Sequence, residues 1–246
     1  MIPKFSIITV TYNAEDSIEG TVQSVISQEF KNFEYIIIDG ASTDKTLAIL
    51  NKYDNDIDKV ISEKDHGLYH AMNKGIRAAK GEFLLFLNAG DRFVHATILN
   101  EVDSRILPKT RIVSADFINV KEEGAVDGRY IQTKACTLNN LKKDFAACHQ
   151  TVFIHRSVAS EYDLRYTILA DYKWVVQASS QCKLEAIVHI KTAIVYYLDG
   201  GLSARYVKEN ILERVRLHHE LFGRIQVIKN IPNYLRRILR ELKRLS

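Results

Sequence analysis

Solid apolar runs alternating with helical periodicities organise the first hundred residues. Phe5 to Val10 reads as one apolar run, the pattern of a strand covered on both faces. Ile18, Val22, Val25 and Ile26 follow at helical spacing. Phe33 to Ile38 is a second solid strand, ending at Asp39-Gly40. Leu47 and Leu50 predict a short helix, and Val60-Ile61 a short strand. Leu68, Met72, Ile76 and Ala79 repeat at helical intervals, with Gly81 as a stop. Phe83 to Leu87 is a third buried strand, ending at Asn88-Ala-Gly-Asp91. Strand and helix in alternation predict an α/β fold: a Rossmann-like, mostly parallel sheet with helices on both faces. Ligands bind such sheets beyond the carboxyl ends of the strands. Thr11-Tyr12-Asn13, Asp39-Gly40 and Asn88 to Asp91 all fall there.

The second half is less regular. Ile112 to Val120 is strand-like with an interruption at Asp116, and Glu122 to Gly128 is a turn-rich connection. Thr151 to Ile154 predicts a strand, Asp171 to Ala178 the start of a helix, and Ala186 to Tyr197 one or two strands. Gly200-Gly201 marks a turn. At the end, Ile231, Leu235, Ile238, Leu242 and Leu245 form a 4-3-4-3 apolar stripe among arginines and lysines, a basic amphipathic helix.

Composition changes this picture in one place. The 246 residues are 46% hydrophobic and 26% charged, an ordinary globular balance with a formal net charge of +4. Residues 224 to 246 hold seven of the 34 basic side chains and one acid, Glu241, so the first 223 residues carry −2. The three cysteines have no CxxC spacing, which disfavours a disulfide framework or zinc knuckle and suits a reducing cytoplasm. The first residues do not read as a signal peptide, and no apolar stretch of about 20 residues predicts a membrane span.

Several polar positions could carry chemistry. A carboxylate at a strand tip, as at Asp39, can accept hydrogen bonds from a ribose or base edge, while Ser42 or Asp44 can cap the next helix. Asp91 follows a buried strand and could hold a hard cation shared with phosphates. Asp171 lies at a helix start, where the dipole favours an acid, and could serve as a general base. Taken singly, each also suits an ordinary polar turn. His149 has no second spaced ligand, and neither a GxGxxG nor a GxxxxGK[ST] loop occurs.

The order of the motifs adds what single motifs lack. Ser6-Ile-Ile-Thr-Val-Thr-Tyr-Asn13, Asp39-Gly-Ala-Ser-Thr-Asp44, Ser62-Glu-Lys-Asp-His-Gly-Leu-Tyr69, Asn73-Lys-Gly75 and Phe86-Leu-Asn-Ala-Gly-Asp91 occur in series. The series resembles the family 2 glycosyltransferases, inverting GT-A enzymes of bacterial surface-polysaccharide assembly. The resemblance continues to about residue 205 through Cys148-His-Gln150, Ala170-Asp-Tyr172 and Gly200-Gly-Leu-Ser203.

It implies a GT-A domain over residues 1–205, with a nucleotide-sugar half at 1–95 and an acceptor half at 96–205, and a helical extension at 206–246. It implies that Thr11, Tyr12, Asn13 and Glu15 line the nucleotide pocket, and that Asp39 holds the uracil or ribose with Ser42 and Asp44 nearby. Asp65, Gly67, Asn73 and Gly75 would border the donor's ribose and sugar. Asn88, Ala89, Gly90 and Asp91 occupy the metal-binding DxD-like position. There the sequence departs from the acidic pattern, leaving Asp91 as the single carboxylate for Mn2+ or Mg2+. Asp171 matches the catalytic base, and Asp116, His149 and Gln150 fall in the acceptor half. The implied donor is a nucleotide-sugar, UDP-linked, and the implied acceptor a glycan or polyprenyl-diphosphate-linked glycan.

The competing readings are a nucleotidyltransferase and a nucleic-acid-binding protein using the basic tail. The first lacks a Gly-rich basic loop after the first strand. The second has only Tyr234 for stacking, so no nucleic-acid partner is expected. The tail itself suits peripheral contact with the inner face of the cell membrane, packing on its own domain, or pairing into a homodimer.

Overall fold

The structure, a computed structural model, describes residues 2–143, 148–200 and 206–245, the side chains of 207 and 240–245 excepted. Of the expected features, the turn from Gly201 to Ser203 and the side chains of Leu242 and Leu245 lie outside the described residues.

The predicted alternation forms the left half of a nine-stranded sheet. β1 (Phe5–Thr11), β2 (Phe33–Asp39), β3 (Lys59–Ser62) and β4 (Phe83–Phe86) run parallel in the order β3-β2-β1-β4. Between them lie α1 (Ile18–Ile26), α2 (Thr46–Leu50) and α3 (Leu68–Ala78). All seven residues of β1 are buried. Side chains alternate across a strand, so a solid apolar run serves two cores at once. Ile8, Val10, Ile36, Ile38, Leu84 and Phe86 pack on one face with Met72 and Trp174. Phe5, Ile7, Tyr35, Ile37, Phe83 and Leu85 pack on the other with Ile18 and Val22.

The sheet continues in mixed sense. After β5 (Arg92–Phe93) and α4 (Ile98–Asp103) come β6 (Ile112–Val120), β7 (Arg129–Ile131), α5 (Leu138–Leu141), β8 (Val152–His155), α6 (Ala170–Ser180) and β9 (Ile187–Leu198). β8 lies antiparallel between β4 and β6, β6 pairs parallel with β9, and β5 closes the order against β9. The interruption expected at Asp116 is a β-bulge on both sides of that residue. The segment read as one or two strands is one strand of twelve residues.

The last helix, α7 (Val207–Leu245), is longer than its apolar stripe announced. It breaks at Gly223, whose φ of 79° lies in the left-handed region that glycine enters without steric cost. Before the break, Leu217 and His218 are fully buried against the body. After it, Asn230 and Tyr234 are buried, while Ile231 and Leu235 of the predicted stripe are exposed.

Candidate active site

Two loops at the strand tips are stitched into one wall. Thr11 and Asp39 are register partners at the ends of β1 and β2. Asp39 is fully buried; its Oδ2 accepts the Ser42 N–H at 3.0 Å and the Ser62 hydroxyl at 2.6 Å, and its Oδ1 accepts the Ser42 hydroxyl. Asn13, at φ 46°, donates its N–H to Ser42 Oγ at 2.8 Å and accepts the Thr43 N–H on Oδ1 at 2.9 Å. The Glu15 N–H donates to Asp44 Oδ2 at 3.0 Å, and Glu15 Oε2 accepts the Lys45 N–H at 2.9 Å. This reciprocity lets two irregular loops keep one shape. Tyr12, 63% exposed, stands beside Gly40, where an added Cβ would lie 3.2 Å from its ring.

Two oxygens near these loops are buried and unpartnered: Thr11 Oγ1 and Asp65 Oδ2. Asp65 Oδ1 is held by His70 Nδ1 at 2.9 Å and Lys74 Nζ at 2.8 Å, which leaves Oδ2 for another donor. Gly67, at φ 107°, precedes α3. A buried polar atom without a partner costs free energy, so such atoms mark places a ligand can satisfy.

A second cluster forms where the end of β4 meets residues 148–172. His149 Nδ1 lies 2.9 Å from Asp171 Oδ2, and His149 Nε2 lies 3.4 Å from Asn88 Nδ2. Asp171 Oδ1 receives the N–H of Tyr172 at 2.8 Å and sits 3.2 Å from the Tyr69 hydroxyl. Burial pushes the Asp171 carboxyl up. The hydrogen bond and charge of His149, with the Tyr172 and Tyr69 donors, outweigh it and hold the group below the usual carboxylate range. Asp91 is buried with Oδ1 on the Leu198 N–H at 3.0 Å. Burial raises its pKa to about 7, against the opposing pull of Leu198, His149 and Gln150. The Cys148 thiol donates to Gln150 Oε1 at 3.0 Å. Asn88 to Asp91, His149-Gln150 and Asp171, far apart in sequence, thus form one cluster.

Three expected site residues make structural contacts. Asn73 donates to the Tyr162 carbonyl at 3.0 Å and accepts the Tyr162 N–H at 2.7 Å, a buried clip. Gly75 is where α3 touches the sheet: a Cβ there would lie 2.6 Å from Ile8 Cγ2. Asp116 is buried with one oxygen on Tyr130 Oη at 2.8 Å and the other on the Thr133 N–H at 2.6 Å. It spends both oxygens on the bulge and β7 side of the sheet.

Two further residues join the site. Tyr69, near the start of α3, brings its hydroxyl to Asp171 at 3.2 Å, and only its place in the first turn of that helix hints at it in the sequence. Glu213 of α7 accepts the N–H groups of Thr167, Ile168 and Leu169 and the Thr167 hydroxyl at 2.7 to 3.0 Å, just before α6. No local signal betrays so distant a partner.

Among the described residues, no group of three His, Cys, Asp or Glu side chains gathers to hold a metal. Gly90 excludes a second acid: its φ is 96°, and a Cβ would meet Leu198 Cδ2 at 2.8 Å. Asn88 Oδ1, however, is buried and unpartnered. One carboxylate and one open amide oxygen fit a hard cation that draws its remaining ligands from a diphosphate and water.

A mixed sheet with a parallel run at one end, flanked by helices, is the GT-A glycosyltransferase fold. The family model described as Glycosyl transferase family 2 matches residues 6–162, and the chain belongs to that family of glycosyltransferases. It is 30% identical over 239 residues, covering 92% of this chain and 89% of the relative, to a PGL/p-HBAD biosynthesis glycosyltransferase of Mycobacterium bovis (strain BCG / Pasteur 1173P2). It is 28% identical over 229 residues, 88% of this chain and 89% of the relative, to the UDP-Glc:alpha-D-GlcNAc-diphosphoundecaprenol beta-1,3-glucosyltransferase WfaP of Escherichia coli. Staphylococcus aureus TarS 1-349, solved with UDP-GlcNAc, shares the fold at TM-score 0.66 and 18% identity, over 95% of this chain and 72% of that one. Two further structures of this fold were solved with Mn2+ beside GDP-Man or UDP.

Proposed function

We propose that the enzyme moves a sugar from a UDP-sugar to a hydroxyl of a lipid-linked glycan, inverting the anomeric configuration. One observation carries this reading: the half-buried Asp171 carboxylate is held ionised by His149, whose other ring nitrogen lies 3.4 Å from Asn88 in the strand-end turn. The UDP assignment is supported by the UDP-Glc used by WfaP and the UDP-GlcNAc bound to TarS. The lipid-linked acceptor is supported by the diphosphoundecaprenol in WfaP's name.

In this reading the stitched wall of residues 11–15 and 39–46 receives the nucleoside. Tyr12 offers an exposed ring for the base, and Asp65 Oδ2 and Thr11 Oγ1 offer acceptors for donor hydroxyls. Asn88 Oδ1 and Asp91 would hold a divalent cation, which supplies positive charge opposite the leaving diphosphate. Asp171 takes the proton of the acceptor hydroxyl, and His149 keeps it oriented and ionised. Holding both substrates in line removes much of the entropic barrier, and one displacement turns an α-linked donor into a β-linkage.

The test is a donor screen. Slow hydrolysis of UDP-glucose, UDP-galactose, their N-acetylated forms and GDP-mannose is measured with and without Mn2+, and the anomeric proton coupling of the transfer product is read by NMR. A GDP-sugar preference or an α-linked product from an α-donor overturns the reading.

A further inference from the structure

The tail helix is inside out. Beyond Gly223 it attaches to the body through polar side chains. Gln226 and Asn230 donate to the Lys142 carbonyl at 2.9 and 2.8 Å, Asn233 donates to the Lys143 carbonyl at 3.1 Å, and the Tyr234 hydroxyl lies 2.6 Å from His218 Nδ1. Asn230 is 2% exposed and Tyr234 6%. These bonds fix the rotation of the helix about its axis. The side turned to solvent is then apolar: Ile225 is 72% exposed, Ile228 64%, Leu235 54% and Leu239 59%, with Ile231 beside them. At helical spacing these residues share one stripe. Arg224, Lys229 and Arg236 are exposed on the same segment, as are Lys142 and Lys143 where it attaches. A surface helix normally buries its apolar stripe and shows its polar side, so this arrangement calls for an occupant.

We infer that residues 224–239 are a docking surface for an anionic phospholipid bilayer, with the isoleucine and leucine side chains entering the headgroup boundary and the basic residues meeting lipid phosphates. Charge decides between a lipid and a second copy of the chain. Residues 224 to 246 contain seven basic side chains and one acid, so pairing two such stripes would bring like charges together. An anionic surface attracts every one of them. No described helix is long and apolar enough to cross a membrane, so this contact would be peripheral. The inference stands apart from the identity of the donor and acceptor.

The test uses the full chain. Co-sedimentation with vesicles of phosphatidylglycerol and phosphatidylethanolamine is compared with vesicles of phosphatidylcholine alone, at low and at moderate salt. The wild type is expected to pellet with the anionic vesicles and to leave them as salt rises. Ile228→Ser with Leu235→Ser, and separately Lys229→Glu with Arg236→Glu, should each weaken binding about tenfold or more. These side chains are exposed, so unchanged melting temperatures will show that the variants fold. Wild type remaining in the supernatant with anionic vesicles overturns the inference. So does vesicle binding that both variant pairs leave intact. A dimer in analytical ultracentrifugation that the Ile228/Leu235 variant dissociates, without vesicle binding by the wild type, assigns the stripe to a second copy instead.

Discussion

His149 Nδ1 and Asp171 Oδ2 are 2.9 Å apart, and this pair joins the start of α6 to the strand-end turn at Asn88. The pair sets a pH dependence. Asp171 is held below the usual carboxylate range because His149 and two further donors outweigh burial. A base must be ionised, so protonation of Asp171 should limit transfer only below that range. In His149→Ala burial is less opposed, the carboxyl rises, and the acid limb of the kcat profile should move to higher pH. Asp171→Asn should lower kcat by about 10^2 to 10^4-fold with donor affinity kept. Near-normal turnover in Asp171→Asn removes Asp171 from the base role, and an unmoved acid limb in His149→Ala removes His149 from its tuning role.

Restoring an acidic residue at position 90 should not strengthen metal binding. Gly90→Asp places a side chain at φ 96° with its Cβ 2.8 Å from Leu198 Cδ2. Leu198 also donates its N–H to Asp91, so the clash disturbs the one carboxylate present. A loss of about 1 to 3 kcal/mol in stability is expected, from left-handed strain and crowding. Thermal melting and Mn2+-dependent donor binding check it; a stable variant with tighter Mn2+ dependence would contradict this account.

Much of this was readable in the chain because β1, β2 and β4 are solid apolar runs that end abruptly in polar residues. Their tips, at Thr11, Asp39 and Asn88, are where parallel-sheet chemistry belongs. The sequence does not show whether Asn73 and Gly75 pack or bind, because their packing partners lie far away in the chain. Gly75 lies close against Ile8, and Asn73 clips Tyr162. The tail's apolar stripe was visible, but its direction was not. That direction depends on Asn230 and Tyr234 meeting His218 and Lys142, partners 12 to 88 residues away.

Glu213 should act on turnover at a distance. Its carboxylate gathers three backbone N–H groups and a hydroxyl immediately before the helix that begins at Ala170. Glu213→Ala leaves those donors without their charged acceptor, and Asp171 two residues beyond loses its fixed approach to His149. A fall in kcat of about tenfold is expected, with donor Kd within about twofold, since the donor wall lies on other elements. Glu213→Gln keeps acceptor oxygen and should recover part of the loss. Isothermal titration with UDP beside steady-state kinetics separates the two effects; a donor Kd that weakens as much as kcat would count against a positioning role.

Acid should release the tail from the base helix. Lys173 of α6 is nearly buried and carries ion pairs to Asp163 at 2.7 Å and to Glu220 of α7. Arg165, hydrogen-bonded to Asp163, and then Lys173 hold the Asp163 carboxyl well below its usual range. Lys173 and the Tyr166 hydroxyl do the same for Glu220. A carboxylate whose pKa is depressed on folding stabilises the protein above its unfolded pKa, about 4, and loses that contribution as the pH falls through the folded value. Lys173→Met removes the buried cation between the two acids and leaves them only Arg165, itself 60% exposed, which should cost about 1 to 3 kcal/mol near neutrality. That difference from the wild type should shrink steadily below about pH 4, as both acids protonate in the variant first. Melting temperatures of the two proteins from pH 7 to pH 3 measure it. A gap that stays constant across that range would show that Lys173 contributes through packing alone.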